Sequence, residues 1–134
     1  MPDVPIALPI TSLTALYAAV LFLVLTFNVI RLRRKGGVVM GDNDDRVLAK
    51  AIRAHGNATE QLPIALIVMA LAELQGAPAA LLIGAALVLV AGRSLHALYF
   101  ASHGTHWKAR VWGMWLTVTA QLLLIIALLT ALAT

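Results

Sequence analysis

The sequence predicts an all-α membrane protein that folds as a four-transmembrane-helix bundle. The first observation behind this prediction is composition, since 61% of the 134 residues are hydrophobic and only 12% are charged. A soluble domain usually carries about 25% charged residues. The second observation is that the apolar residues fall into four separate runs, and the third is that the basic residues collect beside only some of them. We therefore expect a single domain, residues 1–134, solvated largely by lipid.

The four apolar runs differ in how easily each could cross a membrane. They span residues 13–30, 56–72, 77–92 and 111–134, and only the second contains a charged residue, Glu60. A spanning helix needs about 20 apolar residues, which the first and fourth runs supply alone. The second and third reach this length only if polar residues at one end enter the membrane, so these two helices are expected to carry the chemistry. The predicted helices cover about residues 8–34, 45–74, 78–101 and 107–132.

The connections between these runs contain residues that end and begin helices. A Gly-Gly pair at residues 36–37 breaks the first helix, and either Asp44 or Asp45 can cap the second by accepting hydrogen bonds from unpaired N–H groups. Residues 75–78, Gln-Gly-Ala-Pro, predict a tight turn in which Gly ends one helix and Pro opens the next. Residues 102–107 form the third connection.

The basic residues give the orientation of the bundle. Most of them belong to the first connection and its margins, and Lys108 and Arg110 flank the third. The N-terminal tail, the turn at residues 73–78 and the C-terminus have none. The positive-inside rule then places connections one and three in the cytoplasm and both termini outside. This topology accounts for the net charge of +4 without a nucleic-acid partner.

Polar residues on the second and third predicted helices are the candidates for a binding site. At about 100° per residue, the spacing of Arg53, Asn57 and Glu60 puts all three on one face of helix two. Arg93 and His96 likewise share one face of helix three. Arg93 is the natural intramembrane partner of Glu60, because ionisable groups inside a membrane are costly and default to a functional role. The alternative is that this pair only joins two helices.

The remaining candidates extend the same site. Tyr99 follows His96 at a spacing of three, and Arg110 opens helix four. Simpler interpretations are that Arg110 anchors its helix at the lipid headgroups and that Arg31, which ends helix one, only snorkels towards them. The chain has no cysteine, so a Cys nucleophile is excluded and no metal site is expected. A cationic site with an apolar floor suits a small anionic, water-soluble ligand that meets a lipophilic one.

Residues 53–63 read R-A-H-G-N-A-T-E-Q-L-P, residues 92–97 read G-R-S-L-H-A and residues 110–117 read R-V-W-G-M-W-L-T. In register, these motifs resemble the MAPEG family (membrane-associated proteins in eicosanoid and glutathione metabolism). The first is similar to the pattern R-A-H-x-N-x-x-E-x-x-P of its bacterial members. Residues 92–97, G-R-S-L-H-A, look like the family's G-R-x-x-H-A on helix three. Residues 110–117, R-V-W-G-M-W-L-T, look like R-x-x-G-M-x-x-T at the start of helix four. Residues 31–33 resemble the basic end of helix one, so the match covers nearly the whole chain.

The resemblance implies a homotrimer in a bacterial inner (plasma) membrane, with glutathione bound between neighbouring subunits. The implied activity is that of a membrane-bound glutathione transferase acting on lipophilic electrophiles, with glutathione-dependent peroxide reduction as a second reaction. Arg110 would stabilise the thiolate, because a guanidinium in a low-dielectric site favours the anion of a thiol. The other residues that the resemblance places at the glutathione site are Arg31, Arg53, Asn57, Glu60, Arg93, His96 and Tyr99.

The sequence also departs from the family pattern and leaves other functions open. Gly56 stands where some animal members have a second Arg, and the aromatic hydroxyl near Tyr99 is displaced by one position relative to animal synthases, so eicosanoid-specific activities are not carried over. One alternative is a non-enzymatic lipid- or glutathione-binding membrane protein of the same family. Another is a small proton-coupled transporter, although such proteins typically use a carboxylate in helix one, where this chain has none.

Overall fold

A computed structural model describes residues 7–101 and 107–133, the side chains of Phe100 and Ala101 excepted. The described chain forms four α-helices, each of which begins and ends within two residues of its predicted range. They are α1 (Pro9–Gly36), α2 (Arg46–Leu74), α3 (Ala79–Ala101) and α4 (Trp107–Leu132).

Three of these helices, α1, α3 and α4, are long and apolar enough to cross a membrane. Helix α2 differs because Arg46, Lys50, Arg53 and Glu60 occupy its first half, and an uncharged stretch begins only after Glu60. It nevertheless packs against each of the other three helices. The predicted all-helical fold is therefore confirmed for the described residues, and α2 is its most polar helix.

The helix ends follow the predicted stop and start residues. Asp45 caps α2, since its carboxylate accepts hydrogen bonds from the backbone N–H groups of Val47 at 2.8 Å and Leu48 at 3.3 Å. Gly37 ends α1 in the left-handed conformation with φ of 64°, and Gly76 reverses the chain after α2 with φ of 78°. Glycine adopts positive φ without the steric cost that a Cβ imposes.

At the end of the bundle away from the basic loop, α2 caps α1. The Glu73 carboxylate accepts hydrogen bonds from the backbone N–H groups of Ile10 at 3.0 Å and Thr11 at 2.8 Å, both in the first turn of α1. A helix N-terminus has unpaired N–H groups and favours negative charge. Leu8, at the N-cap of α1, provides no side-chain hydrogen bond to these N–H groups. The Glu73 carboxylate of α2 therefore acts as the cap of α1.

The core is built from small residues that let the helices approach closely. One cluster joins the halves of α2, α3 and α4 that lie away from the basic loop, and most of its members are alanines, such as Ala65, Ala72, Ala85 and Ala120. Large apolar side chains instead point outwards along α1 and α4, as in Leu16, which is 63% exposed. This reverses the pattern of a soluble protein and fits a surface that lipid covers.

We expect the basic end of the bundle to lie in the cytoplasm. Reporter fusions at Gly37 and Gly104 should then read as cytoplasmic, and a fusion after Thr134 should read as external, because Lys and Arg in short loops resist translocation. Gly104 and Thr134 lie outside the described residues. The opposite set of signals from paired phosphatase and fluorescent-protein fusions would contradict the assignment.

Candidate functional site

A cavity of about 690 Å³ opens at the basic end of the bundle between α2, α3 and α4. This volume lies within the range of small-molecule sites, roughly 300–1,000 Å³. Five of the eight residues that the sequence predicts for the site line this cavity: Arg53, Asn57, His96, Tyr99 and Arg110.

The opposite wall of the cavity is apolar and comes from α4. Val111, Met114, Trp115 and Val118 follow one another along this helix, and Val111 and Trp115 are exposed on the outer surface of the bundle. Lys50 adds a further cationic side chain from α2. The cavity therefore combines a cationic wall with an apolar wall that reaches the surface where lipid would lie.

Helix α2 is oriented by what packs behind it. Ala54 and Ala58 are buried against α1 and α3, which leaves Arg53 and Asn57 on the side of the cavity. His55 holds the same helix to α1, since its Nε2 lies 3.1 Å from the Thr26 hydroxyl. This histidine belongs to the R-A-H motif but does not line the cavity, and its contact with α1 indicates a role in helix packing.

Arg93 lies behind the cavity wall and is only 1% exposed. Its Nη1 donates a hydrogen bond of 2.8 Å to Oδ1 of Asn57, while its Nε has no hydrogen-bond partner among the described residues. A guanidinium can only donate, so it fixes the Asn57 amide with the oxygen inwards. The amide NH₂ of Asn57 is thereby left as a hydrogen-bond donor on the cavity side.

The predicted pairing of Arg93 with Glu60 is wrong. Glu60 is exposed, and within residues 7–101 and 107–133 its carboxylate forms no ion pair or hydrogen bond. The physical reason is rotation, because Glu60 lies about 60° around α2 from Asn57. That angle turns Asn57 towards α3 and Glu60 towards the outside of the bundle, beside the exposed Arg53.

Arg31 is also separated from the cavity within one chain. It is exposed at the basic end of α1, where its Nη2 donates a hydrogen bond of 2.9 Å to Oδ1 of Asn28. Both residues line a different cavity, which lies between α1 and α3. Only the α1 of another copy could bring an Arg31 to the cavity that contains Arg53 and Arg110.

Arg110 reaches the cavity from the first turns of α4. Its guanidinium carbon lies 5.9 Å from the centre of the Tyr99 ring, within range of a cation–π contact. This contact joins α3 and α4 at the mouth of the cavity. Arg110 thus lies beside two other predicted site residues, Tyr99 and His96.

Two glycines of the motifs on α3 and α4, Gly92 and Gly113, make this proximity possible. A Cβ on Gly92 would lie 2.9 Å from the carbonyl oxygen of Gly113, and a Cβ on Gly113 would lie 2.7 Å from the backbone nitrogen of His96. The backbones of α3 and α4 therefore touch where the two motifs meet. Small residues at a helix crossing are the signal that could have identified this contact.

Comparison with known proteins agrees with the motifs. The model of the MAPEG family matches residues 11–130. "Inner membrane protein YecN" of Escherichia coli strain K12 is 38% identical over 118 residues, which is 88% of each chain. The protein of the same name from Escherichia coli O6:H1 strain CFT073 has the same identity and coverage. No solved structure matches this chain.

The location of this relative agrees with the predicted location of the chain in an inner membrane. Three of the described helices of this chain are long and apolar enough to cross a bilayer. The polar residues of α2 and α3 meet at one end of the bundle. The motifs that line the cavity all lie inside the region that the family model matches. This chain is therefore an integral membrane protein that belongs to the MAPEG family.

Proposed function

We propose that this chain is a membrane-bound glutathione transferase that conjugates the thiolate of glutathione to lipophilic electrophiles. The observation that carries the proposal is the 690 Å³ cavity, in which cationic groups face an apolar wall that opens to the outer surface. Membership of the MAPEG family supports the same conclusion. A soluble anionic thiol and a membrane-soluble electrophile could meet there without either leaving its own phase.

The cationic wall suits the carboxylates of the tripeptide. Arg53 and Lys50 are separated by less than one helical turn, and both line the cavity. An Arg guanidinium can hold a carboxylate through two parallel hydrogen bonds, which gives both affinity and orientation. The Asn57 NH₂, which Arg93 orients from behind, offers a further donor. Glutathione is therefore held by its peptide ends, and its thiol is directed towards Arg110.

Arg110 supplies the chemistry by stabilising an anion. A free thiol has a pKa near 8.5, so only a small fraction is thiolate at neutral pH. A guanidinium beside the sulfur favours the thiolate and lowers that pKa, while Arg itself remains protonated and cannot act as a base. The thiol proton passes to water, the sulfur lone pair forms the new C–S bond, and the leaving group departs with the electron pair of the bond that breaks.

The apolar wall determines how the second substrate arrives. Trp115 and Val111 are exposed on the outer surface and also line the cavity, so they form a continuous apolar path from lipid to the guanidinium of Arg110. Met114 and Val118 extend the same wall towards the membrane interior. An electrophile dissolved in the bilayer can follow this path with no loss of apolar contact. Lipid hydroperoxides would reach the thiolate by the same route.

The site is shared between subunits of a homotrimer. Arg31 and Glu60, which the resemblance assigns to glutathione, both lie outside the cavity of a single chain. The exposed stripe of α2 also places Arg53 and Glu60 in line with the large apolar residues Ile64 and Ile67. Charged groups on such a stripe are costly in contact with lipid. A neighbouring copy would cover this stripe, and the family resemblance favours three copies.

Crosslinking and native mass spectrometry in a mild detergent provide a test of the shared site. We expect trimers that carry glutathione and dissociated subunits that have lost it. A monomer that binds glutathione with the affinity of the assembled protein would contradict a shared site, although it would leave the binding cavity itself intact.

Calorimetric titration of glutathione into the purified protein tests the binding cavity. Arg53→Ala should raise the Kd about 10–100-fold, because a hydrogen bond to a charged group contributes roughly 1.5–3 kcal/mol. Arg46→Ala is the matched control, since Arg46 is an exposed arginine on the same helix that does not line the cavity. Equal effects of the two substitutions would argue against specific binding at Arg53.

Turnover separates the transferase from a non-enzymatic binding protein of the same family. The purified protein should conjugate glutathione to an apolar aryl halide. A parallel assay with a lipid hydroperoxide distinguishes conjugation from peroxide reduction, because the hydroperoxide is reduced only if the protein also catalyses the second reaction. Binding of glutathione with no reaction towards either class of electrophile would assign the chain to the binding proteins.

A further inference from the structure

The chain has no cysteine, so its four methionines contain its only sulfur atoms. Three of them lie among the described residues, and each has a different environment. Met40, in the loop between α1 and α2, is 88% exposed, whereas Met69 is 0% exposed in the apolar core. Met114 is half-buried on α4, and of these three methionines it alone lines the cavity that contains Arg53 and Arg110.

Met114 lies one helical turn after Arg110, and both side chains line the same cavity. Residues four apart on a helix are neighbours, with about 5–6 Å between their Cβ atoms. Val118, one further turn along, continues the apolar wall. The backbone of this turn is held in place because Gly113 touches the backbone of α3 at His96. The thioether of Met114 therefore lies where the guanidinium and the apolar wall of the cavity meet.

A methionine thioether is a soft nucleophile that peroxides oxidise to a sulfoxide. The sulfur lone pair attacks the terminal oxygen of a hydroperoxide, and the O–O bond breaks. The electron pair of that bond leaves with the inner oxygen, which takes up the proton of the hydroperoxide and departs as an alcohol. Sulfur is oxidised by two electrons and the peroxide is reduced by two, so the reaction needs no further reactant.

The guanidinium of Arg110 is in a position to assist this reaction. Negative charge develops on the inner oxygen of the peroxide as the O–O bond breaks. A guanidinium can only donate hydrogen bonds, and a charge-assisted hydrogen bond stabilises such an oxygen. The stabilisation is greater in a site that partly excludes water. Arg110 therefore favours oxidation of a thioether that lies beside it.

The apolar wall selects which hydroperoxide reaches Met114. Val111 and Trp115 line the cavity and are also exposed on the outer surface of the bundle. An organic hydroperoxide with an apolar body concentrates in the bilayer and follows this wall, whereas hydrogen peroxide stays in water. Met40 has the opposite preference, because it lies in the basic loop outside the helices.

We propose that Met114 is an oxidation site for apolar organic hydroperoxides, and that Arg110 assists the formation of its sulfoxide when glutathione is not bound. The sulfoxide is polar and accepts hydrogen bonds, so it replaces part of the apolar wall and competes for the guanidinium of Arg110. Oxidation itself requires no glutathione. Only its effect on turnover rests on the proposed function, in which Arg110 stabilises the thiolate.

Peptide mapping by mass spectrometry of protein in phosphatidylcholine vesicles, without glutathione, tests the site. Cumene hydroperoxide is the apolar probe and hydrogen peroxide the aqueous one, and sulfoxide formation is followed at Met40, Met69 and Met114. The ratio of the Met114 rate to the Met40 rate should be at least about tenfold higher with cumene hydroperoxide, because transfer of about two CH₂ groups out of water already corresponds to a factor of ten. Met69 should remain unmodified by both probes, since it is 0% exposed.

Arg110→Ala tests the assistance by the guanidinium. The substitution should lower the rate of Met114 oxidation by cumene hydroperoxide about tenfold, the usual effect of one hydrogen bond from a charged donor, and should leave the Met40 rate unchanged. Lys108→Ala is the matched control, because Lys108 is an exposed cation two residues before Arg110 that does not line the cavity.

Turnover after oxidation gives a separate measurement. Treatment with cumene hydroperoxide should lower the turnover of the unaltered chain, relative to its own untreated sample, in proportion to the sulfoxide at Met114. Met114→Leu, which nearly conserves volume, should lose much less, and Met69→Leu should lose as much as the unaltered chain. If no untreated sample turns over, the transferase proposal is wrong, and the rates of sulfoxide formation still decide whether Met114 is the site.

Three outcomes would overturn the proposal. Equal rate ratios with the two peroxides would mean that exposure alone decides which methionine reacts. A Met114 that reacts with neither peroxide would mean that a neighbouring copy closes the apolar side of the cavity. Oxidation of Met114 at an unchanged rate in Arg110→Ala would mean that the guanidinium takes no part.

Discussion

Replacing Arg110 with alanine should lower turnover about 10²–10³-fold, the usual cost of removing an electrostatic stabiliser of a reacting anion. Binding of glutathione should change far less, because Arg53, Asn57 and Lys50 on α2 remain to hold the peptide. The pKa of the bound thiol should rise, since the guanidinium no longer favours its thiolate. Ultraviolet absorbance of the bound thiolate, followed against pH, measures that change independently of the rate.

Two control variants separate this role from membrane anchoring. Arg110→Lys should restore turnover only in part, because an ammonium is a point charge without the planar fork of a guanidinium. Lys108→Ala, which removes a nearby exposed cation that does not line the cavity, should keep turnover close to that of the unaltered chain. If Arg110→Ala leaves thiolate and turnover intact and lowers only the amount of protein in the membrane, Arg110 is a headgroup anchor.

The helices could be predicted from the sequence because each depends on local features. Uncharged runs of apolar residues require lipid around them, and Asp45, Gly37 and Gly76 act at helix ends through their own conformational and hydrogen-bonding properties. The cap of α1 by Glu73 could not be read in this way. It joins residues more than sixty positions apart, and nothing near Leu8 indicates which distant carboxylate will reach the helix.

For the site, the sequence could predict which residues share a helix face, but not how each helix is rotated in the bundle. Residue spacing shows that Arg53, Asn57 and Glu60 lie within one sector of α2, but it does not show which edge of that sector turns towards α3. The rotation of α2 in the bundle decides this, and it gives Arg93 the Asn57 amide instead of the Glu60 carboxylate. Rotation also explains Arg31, whose helix face borders a second cavity, between α1 and α3, and not the cavity that contains Arg53 and Arg110.

Substitution of Gly113 by alanine should destabilise the bundle and displace the site at the same time. A Cβ at this position would lie 2.7 Å from the His96 nitrogen, 2.8 Å from the Gly92 carbonyl oxygen and 3.0 Å from the His96 Cα. All three are backbone atoms, so no side-chain rotation can relieve the clash and the helices α3 and α4 must separate. We expect a loss of about 1–3 kcal/mol in the free energy of unfolding, typical of an overpacked core.

Gly84→Ala on α3 provides the matched control. A Cβ on Gly84 would meet nothing within 4 Å, so the same substitution there should be neutral or should stabilise by up to about 1 kcal/mol through helix propensity. Unfolding of both variants in detergent, followed by circular dichroism, measures the difference.

Turnover of Gly113→Ala should fall even where the variant remains folded. Gly113 lies one turn from Arg110 and directly against His96, so separating α3 from α4 moves the guanidinium away from the residues on α3 that line the cavity. A displacement of about 1 Å in a reacting group can cost roughly 10²-fold in rate. If Gly113→Ala is as stable and as active as Gly84→Ala, the close crossing does not position Arg110, and the glycine of the R-x-x-G motif has another role.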